Sequence, residues 1–280
     1  MRRIFLNIQL QPIHLLVAAC ALALLLAAGL YADMVYVPPE APPEIIYTVK
    51  GPVMLHKKAQ AGELITAPNL GTIYYLNRDL KRVVFPDEQT FLSWYPDFSE
   101  VKTIPQELLE SFPLSGRNAT IRPGTFLVTI PSSPQVWMIG FPNSLFWLAD
   151  GEEQVKTLFG EGWASRVVDI PEYYFANYTE GVKINGTTTY PAGLLIKARS
   201  NSQFYLITPE GQRLVSEEGM KANHLQARFA LELDEPLDLP FSGTTIEGFE
   251  YRWGSPDELE QAADRGPKDL DIQGRETEAG

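Results

Sequence analysis

The sequence predicts an α+β, β-rich fold of three repeated units, each a three-stranded meander plus short helices, behind an N-terminal transmembrane helix. Three observations carry that expectation. Glycines at Gly62, Gly124 and Gly193 open the apolar runs GELITA, GTFLVTI and GLLIKA, 62 and 69 residues apart. An aromatic run follows each opening, and recurrence at a near-fixed period is the mark of a repeat architecture. Ahead of all of this lies an apolar run from Ile13 to Tyr31, interrupted only by His14.

The apolar run comes first in the chain. Nineteen residues at about 1.5 Å each cover roughly 28 Å, close to the hydrocarbon thickness of a bilayer. Arg2 and Arg3 precede the run, and the nearest charges after it are Asp33 and Glu40. The positive-inside bias then makes residues 1–12 a cytoplasmic end, residues 13–31 an anchor, and places the rest outside. Two processed forms compete with the anchor. A signal peptide cut near Ala27-Ala28-Gly29 is one, although the run is longer than a usual signal core. Lipidation at Cys20, after Val17-Ala18-Ala19, is the other, but it would leave the apolar stretch Ala21–Leu30 on the mature protein. All three forms place the body outside the cytoplasm. Residues 32–53 read as a stalk: Pro38-Pro39 and Pro42-Pro43 favour an extended polyproline conformation. A proline-rich ligand for a partner domain is the alternative for this stretch.

The units span about 62–118, 124–186 and 193–245, within a body from 54 to 253. After each opening glycine comes an aromatic strand: Ile73-Tyr74-Tyr75-Leu76, Val136-Trp137-Met138-Ile139, or Phe204-Tyr205-Leu206-Ile207. Turns follow at Asn77-Arg78-Asp79, Gly140-Phe141-Pro142-Asn143 and Thr208-Pro209-Glu210-Gly211, built from residues that favour turns for known backbone reasons. Second strands come next at Arg82–Phe85, Leu145–Leu148 and Arg213–Val215. Acidic starts (Asp87-Glu88, Glu152-Glu153, Glu217-Glu218) then open short helices, because negative charge suits a helix N-terminus. The first two units close on Val101-Lys-Thr-Ile104-Pro105 and Val167-Val-Asp-Ile170-Pro171, each running into a second helical turn (Gln106–Ser111, Glu172–Asn177). The third has Leu231-Glu-Leu233-Asp-Glu-Pro236 in that place, the divergence expected of a terminal repeat. Three units fall below the usual propeller count, so a side-by-side array is favoured over a ring. Residues 254–280, rich in acid and without aromatics after Trp253, read as a disordered acidic tail.

The residues Ile73–Leu76, Lys81–Phe91 (KRVVFPDEQTF) and Ser93–Ile104 (SWYPDFSEVKTI), continued by Arg122-Pro123-Gly124-Thr125 and Trp163–Val167, carry a resemblance. The chain resembles, over most of residues 62–200, an uncharacterised repeat of secreted or surface proteins of candidate-phylum (Parcubacteria-type) bacteria. The resemblance implies an envelope location; the family has no assigned activity and implies no catalytic residues. The third unit departs from the pattern after Glu218.

Composition narrows the function classes. A net charge of −12 and a pI near 4.8 leave no basic stripe to neutralise phosphates, which argues against a nucleic-acid partner. One cysteine allows neither an internal disulfide nor a thiolate zinc site. The three histidines, His14, His56 and His224, show no metal-ligand spacing. No phosphate-cradling glycine loop and no calcium loop appears, so no cofactor and no metal is expected.

Three features remain as candidate chemistry. The carboxylate pairs Asp87/Glu88, Asp97/Glu100, Glu152/Glu153 and Asp169/Glu172 could supply the acid and base of a glycosidase, although two of them sit where helix starts want negative charge. Tyr74, Trp94, Trp137, Trp147, Trp163 and Tyr205 could stack on sugar rings if exposed, while aromatics within strands are more often core. Asn118, Asn177 and Asn185 head N-glycosylation sequons. The leading expectation is a non-catalytic, membrane-anchored protein that binds or scaffolds at the cell envelope, with an envelope protein or glycan as partner. A glycan- or wall-binding module is the alternative, and a carboxylate glycosidase the third.

Overall fold

The closing segments anticipated as ends of meanders are strands in their own right. In the first sheet, β1 (Leu64–Thr66), β2 (Tyr74–Leu76) and β3 (Arg82–Val84) run antiparallel. Next, β4 (Val101–Thr103) adds in parallel beside β1, and β5 (Leu114–Asn118) in parallel beside β3. The order is β4-β1-β2-β3-β5. The second sheet repeats it with β6 (Leu127–Ile130), β7 (Ser133–Gly140), β8 (Ser144–Trp147), β9 (Val167–Asp169) and β10 (Thr179–Glu180), in the order β10-β8-β7-β6-β9. The third uses β11 (Leu195–Ala198), β12 (Phe204–Thr208), β13 (Gly211–Val215) and β14 (Leu231–Leu233), in the order β13-β12-β11-β14. Its fifth position holds only two parallel bridges, Gln212 to Phe241 and Val215 to Ile246. The computed structural model describes residues 56–181, 183–184 and 190–257, all within one compact unit.

Each unit is therefore a mixed sheet and not a meander alone. The physical reason lies in the helix. A parallel strand needs a crossover, and α1 (Glu88–Trp94), α3 (Glu152–Phe159) and α5 (Glu217–Ala222) supply it between the third and fourth strands of each unit. In crossing, α1 buries Phe91 and Trp94, and α3 buries Val155 and Leu158. Asp87 caps α1 by accepting from the Thr90 N–H at 2.7 Å, and Ser216 caps α5 by accepting from Gly219 at 3.0 Å. Asp87→Ala is expected to lower stability by about 1 kcal/mol, read as a shifted denaturation midpoint at unchanged slope. Two shorter helices, α2 (Gln106–Ser111) and α4 (Glu172–Phe175), follow the closing strands directly after Pro105 and Pro171. The last, α6 (Tyr251–Gly254), ends the described chain.

Registers match from sheet to sheet. The N–H of Gly62 donates to Leu76, that of Gly124 to Ile139 and that of Gly193 to Ile207, at 2.7, 2.9 and 2.8 Å. All three glycines have positive φ, at 90°, 76° and 99°. Tyr74, Trp137 and Tyr205 consequently occupy one equivalent position. The parallel pairs Thr66–Thr103 and Thr129–Asp169 correspond to Lys197–Glu232, so the third closing strand sets Ala230 and Leu233 against the places of Val101 and Ile104.

The sheets do not lie as a simple side-by-side array. One core gathers Tyr75, Phe91 and Tyr95 from the first sheet's stretch, Phe141 from the second's, and Leu195, Leu206, Ile246 and Trp253 from the third's. A second core joins Leu127, Phe146 and Leu158 to Tyr190, Ile196 and Ile207. The first unit thus touches the third directly as well as the second. The body also runs past residue 253: Ser255 donates to the Tyr75 hydroxyl at 3.0 Å, and the Asn77 amide donates to buried Asp257 at 3.1 Å. Residues 254–257 therefore belong to the body and not to the tail. The expected cytoplasmic end, anchor and stalk (1–53) and the remainder of the tail lie outside the described residues. Among the described residues no helix is long and apolar enough to cross a membrane.

Candidate functional site

The three sheets converge on Arg122, in the link between β5 and β6. Its main-chain N–H donates to the Ser93 hydroxyl at 2.9 Å. Its guanidinium donates to the carbonyls of His224 (2.9 Å), Asn223 (3.0 Å) and Trp253 (2.5 Å) and lies 4.9 Å from the Trp94 ring centre. Asn223 caps the C-terminus of α5 and Trp253 lies in α6, so a cation meets carbonyl groups at helix ends, where the helix dipole favours it. Burial pushes the Arg122 pKa down to about 10, which still leaves it charged near neutrality. Beside it, the Trp94 indole donates to Thr120 at 2.8 Å, and the Ile121 N–H donates to the Tyr178 hydroxyl at 3.1 Å. Burial pushes that hydroxyl's pKa up.

The neighbouring openings of the second and third units are in backbone contact. A Cβ on Gly124 would lie 2.4 Å from the Leu194 Cα, and one on Gly193 would lie 2.6 Å from the Pro123 Cβ. Only glycine permits both the positive φ and this approach.

A cleft of about 430 Å³ opens where the first unit meets the third, lined by Pro96, Glu100, Met220, His224, Leu225 and Arg228 among others. Its walls are tied across the units. The carbonyl of Leu92 at the end of α1, which has no partner within the helix, accepts from the side chains of Gln226 and Arg228, each at 2.9 Å. His224 follows the cap of α5 with φ of 50°, a left-handed position that histidine visits more readily than most residues. Its ring lies 4.8 Å from that of Tyr95, and its Nδ1 is 3.9 Å from a Glu100 oxygen. Burial holds the imidazole below the usual histidine range; Glu100 pulls upward, and Arg122 pushes downward by less than Glu100 pulls. The His224–Glu100 separation exceeds a hydrogen bond, and no serine or cysteine lines the cleft. The arrangement offers an apolar wall with charged edges.

The aromatics named from sequence are dispersed. Trp94, Trp137 and Tyr205 are buried in the three sheets' cores, which corrects their candidacy as ligand contacts. Tyr74, Trp147 and Trp163 are half-buried, with the Arg82 guanidinium over Tyr74 and the Lys183 ammonium over Trp147. They form no exposed row. The acids are local too. Glu152 and Glu153 pair with Lys156, Asp169 accepts from the Thr129 hydroxyl, and Asp97 is held below the usual carboxylate range by Ser99, through its hydroxyl and its N–H. Asn118 lies half-buried on β5, and Asn177 is half-buried with its carbonyl accepting from Asn143. Asn185 lies outside the described residues. Arg122 entered the sequence reading only within the resembling stretch Arg122-Pro123-Gly124-Thr125, without a role, and Gln226 did not enter it. His224 was noticed only as a histidine without ligand spacing.

No family model matches the chain, and no curated protein does. Among solved structures it is similar, at 11% identity and a TM-score of 0.18, to the periplasmic assembly from the ESX-5 inner membrane complex, over 72% of this chain and 66% of that one. A superposition of that quality supports no argument about fold or function.

Proposed function

We propose that this chain is a non-catalytic, membrane-anchored extracytoplasmic protein that binds or scaffolds at the cell envelope, with the cleft between the first and third units as its contact surface. The observation that carries the reading is where its reactive-looking side chains go. Trp94, Trp137 and Tyr205 fill cores, and the acids cap helices or pair locally. The cleft, at about 430 Å³, is of a size suited to a ligand or a partner's side chains. The apolar run at 13–31 and the basic pair before it supply the membrane and orientation parts of the proposal. A glycan platform loses three of its six aromatics to burial, which favours a protein partner over a sugar.

The test is protease access. With the full chain carrying a C-terminal tag, protease added to cells whose outer layers have been opened should degrade the body, while the chain stays with membranes after alkaline extraction. A body protected until the cytoplasmic membrane is lysed would contradict the outside placement, and release by alkali would contradict the anchor.

A further inference from the structure

We propose that the contact between the first and third units is a latch that mildly acidic pH releases through His224. This goes beyond the envelope-binding reading and does not depend on it. The latch has two sides. From the first unit come Leu92 and Ser93 at the end of α1, and Tyr95; from the third come Asn223, His224, Gln226 and Arg228. Arg122 ties the two together, its guanidinium donating to the carbonyls of Asn223 and His224 and its main-chain N–H donating to the Ser93 hydroxyl.

His224 is the titratable member of this contact. The groups facing it are Tyr95 from the end of α1, Glu100 from the turn before β4 and Arg122 from the β5–β6 link. Lys221, from α5, lines the same cleft, as does Arg228. A proton on the ring places a second positive charge beside a buried guanidinium, with two more cations on the cleft wall. Glu100 is the one anion to offset it, at 3.9 Å and well exposed. The relief available is movement of the imidazolium out of its buried position into water. Its carbonyl is one of the three that hold Arg122, and its backbone sits in the left-handed region, which is strained for an L residue. Turning the ring out therefore loosens the grip on Arg122 and on the end of α1.

The sign follows from the direction of the shift. A histidine held below its ordinary value in the folded state contributes stability that is full above about pH 6.5 and falls as pH drops through that value. Hydrogen exchange on the full chain in detergent, at pH 7.5 and 5.5 and corrected for intrinsic rates, reads the latch directly. Residues 91–100 and 217–229 should exchange faster at pH 5.5, by up to about tenfold, the ceiling for one proton one unit below the ordinary histidine value. Strands β7 and β8 should not change. In His224→Asn, which tolerates the left-handed backbone and does not titrate, the acceleration should vanish. In Glu100→Gln, which removes the offsetting charge, it should be at least as large as in the wild type. Unchanged exchange in the wild type, equal acceleration in His224→Asn, or a smaller one in Glu100→Gln overturns the proposal.

Discussion

Alanine at Gly193 or Gly124 is expected to cost at least about 3 kcal/mol, a large share of the roughly 5–15 kcal/mol that holds an ordinary body folded. Two effects add. Both glycines have positive φ, and an L side chain there costs about 1–2 kcal/mol in backbone strain. The second effect is steric. At Gly124 the new Cβ would meet the Leu194 Cα at 2.4 Å and the Gly193 carbonyl oxygen at 2.5 Å, and backbone cannot swing aside as a flexible side chain can. The natural control is Gly62, which opens the first unit with φ of 90° but has nothing within 4 Å of its would-be Cβ. Gly62→Ala should therefore cost only the strain, about 1–2 kcal/mol. Denaturant melts of the three variants check this, and equal costs at all three positions would remove the close approach of the second and third units as a source of stability.

Arg122→Met is expected to be comparably damaging, at about 3–5 kcal/mol. Methionine roughly replaces the aliphatic stem but leaves the carbonyls of Asn223, His224 and Trp253 without the guanidinium, and a buried acceptor left unpaired costs about 1–3 kcal/mol. Removing the buried charge returns part of its desolvation cost, which is why the three losses should not add in full. Arg122→Lys should recover only part of the loss, because an ammonium lacks the planar fork that reaches several carbonyls at once. A variant as stable as the wild type would mean that the junction does not depend on the guanidinium.

The repeat was legible because its signals are local. Gly62, Gly124 and Gly193 each need positive φ, and each is followed by a run whose alternation and aromatic content suit a strand. The sequence alignment of Tyr74, Trp137 and Tyr205 places them at the hydrogen-bond register observed. Helix starts were legible through the acidic openings Asp87-Glu88, Glu152-Glu153 and Glu217-Glu218, which fall at the N-termini of α1, α3 and α5, since the charge preference of a helix start is a matter of three or four residues. The closing strands were not recognised, because Val101–Thr103 pairs with β1 some 37 residues earlier, and short apolar runs do not reveal a parallel partner. Nor was the junction. Arg122 is bound by Asn223, His224 and Trp253, at separations of 101, 102 and 131 residues, and no local pattern encodes such a meeting. The end of the body was misplaced for a related reason: Ser255 and Asp257 look like tail by composition, yet each pairs with a first-sheet residue 180 positions away.

The three units form one body through mutual contacts, the first with the third as well as each with its chain neighbour. Hydrogen exchange across a denaturant series, followed separately in β2, β7 and β12, tests it most directly. Loss of protection in all three strands at one midpoint, with Arg122→Met shifting the three together, is the result the contacts predict. Three separated midpoints, or a shift confined to one sheet, would show independent modules on a string and contradict it.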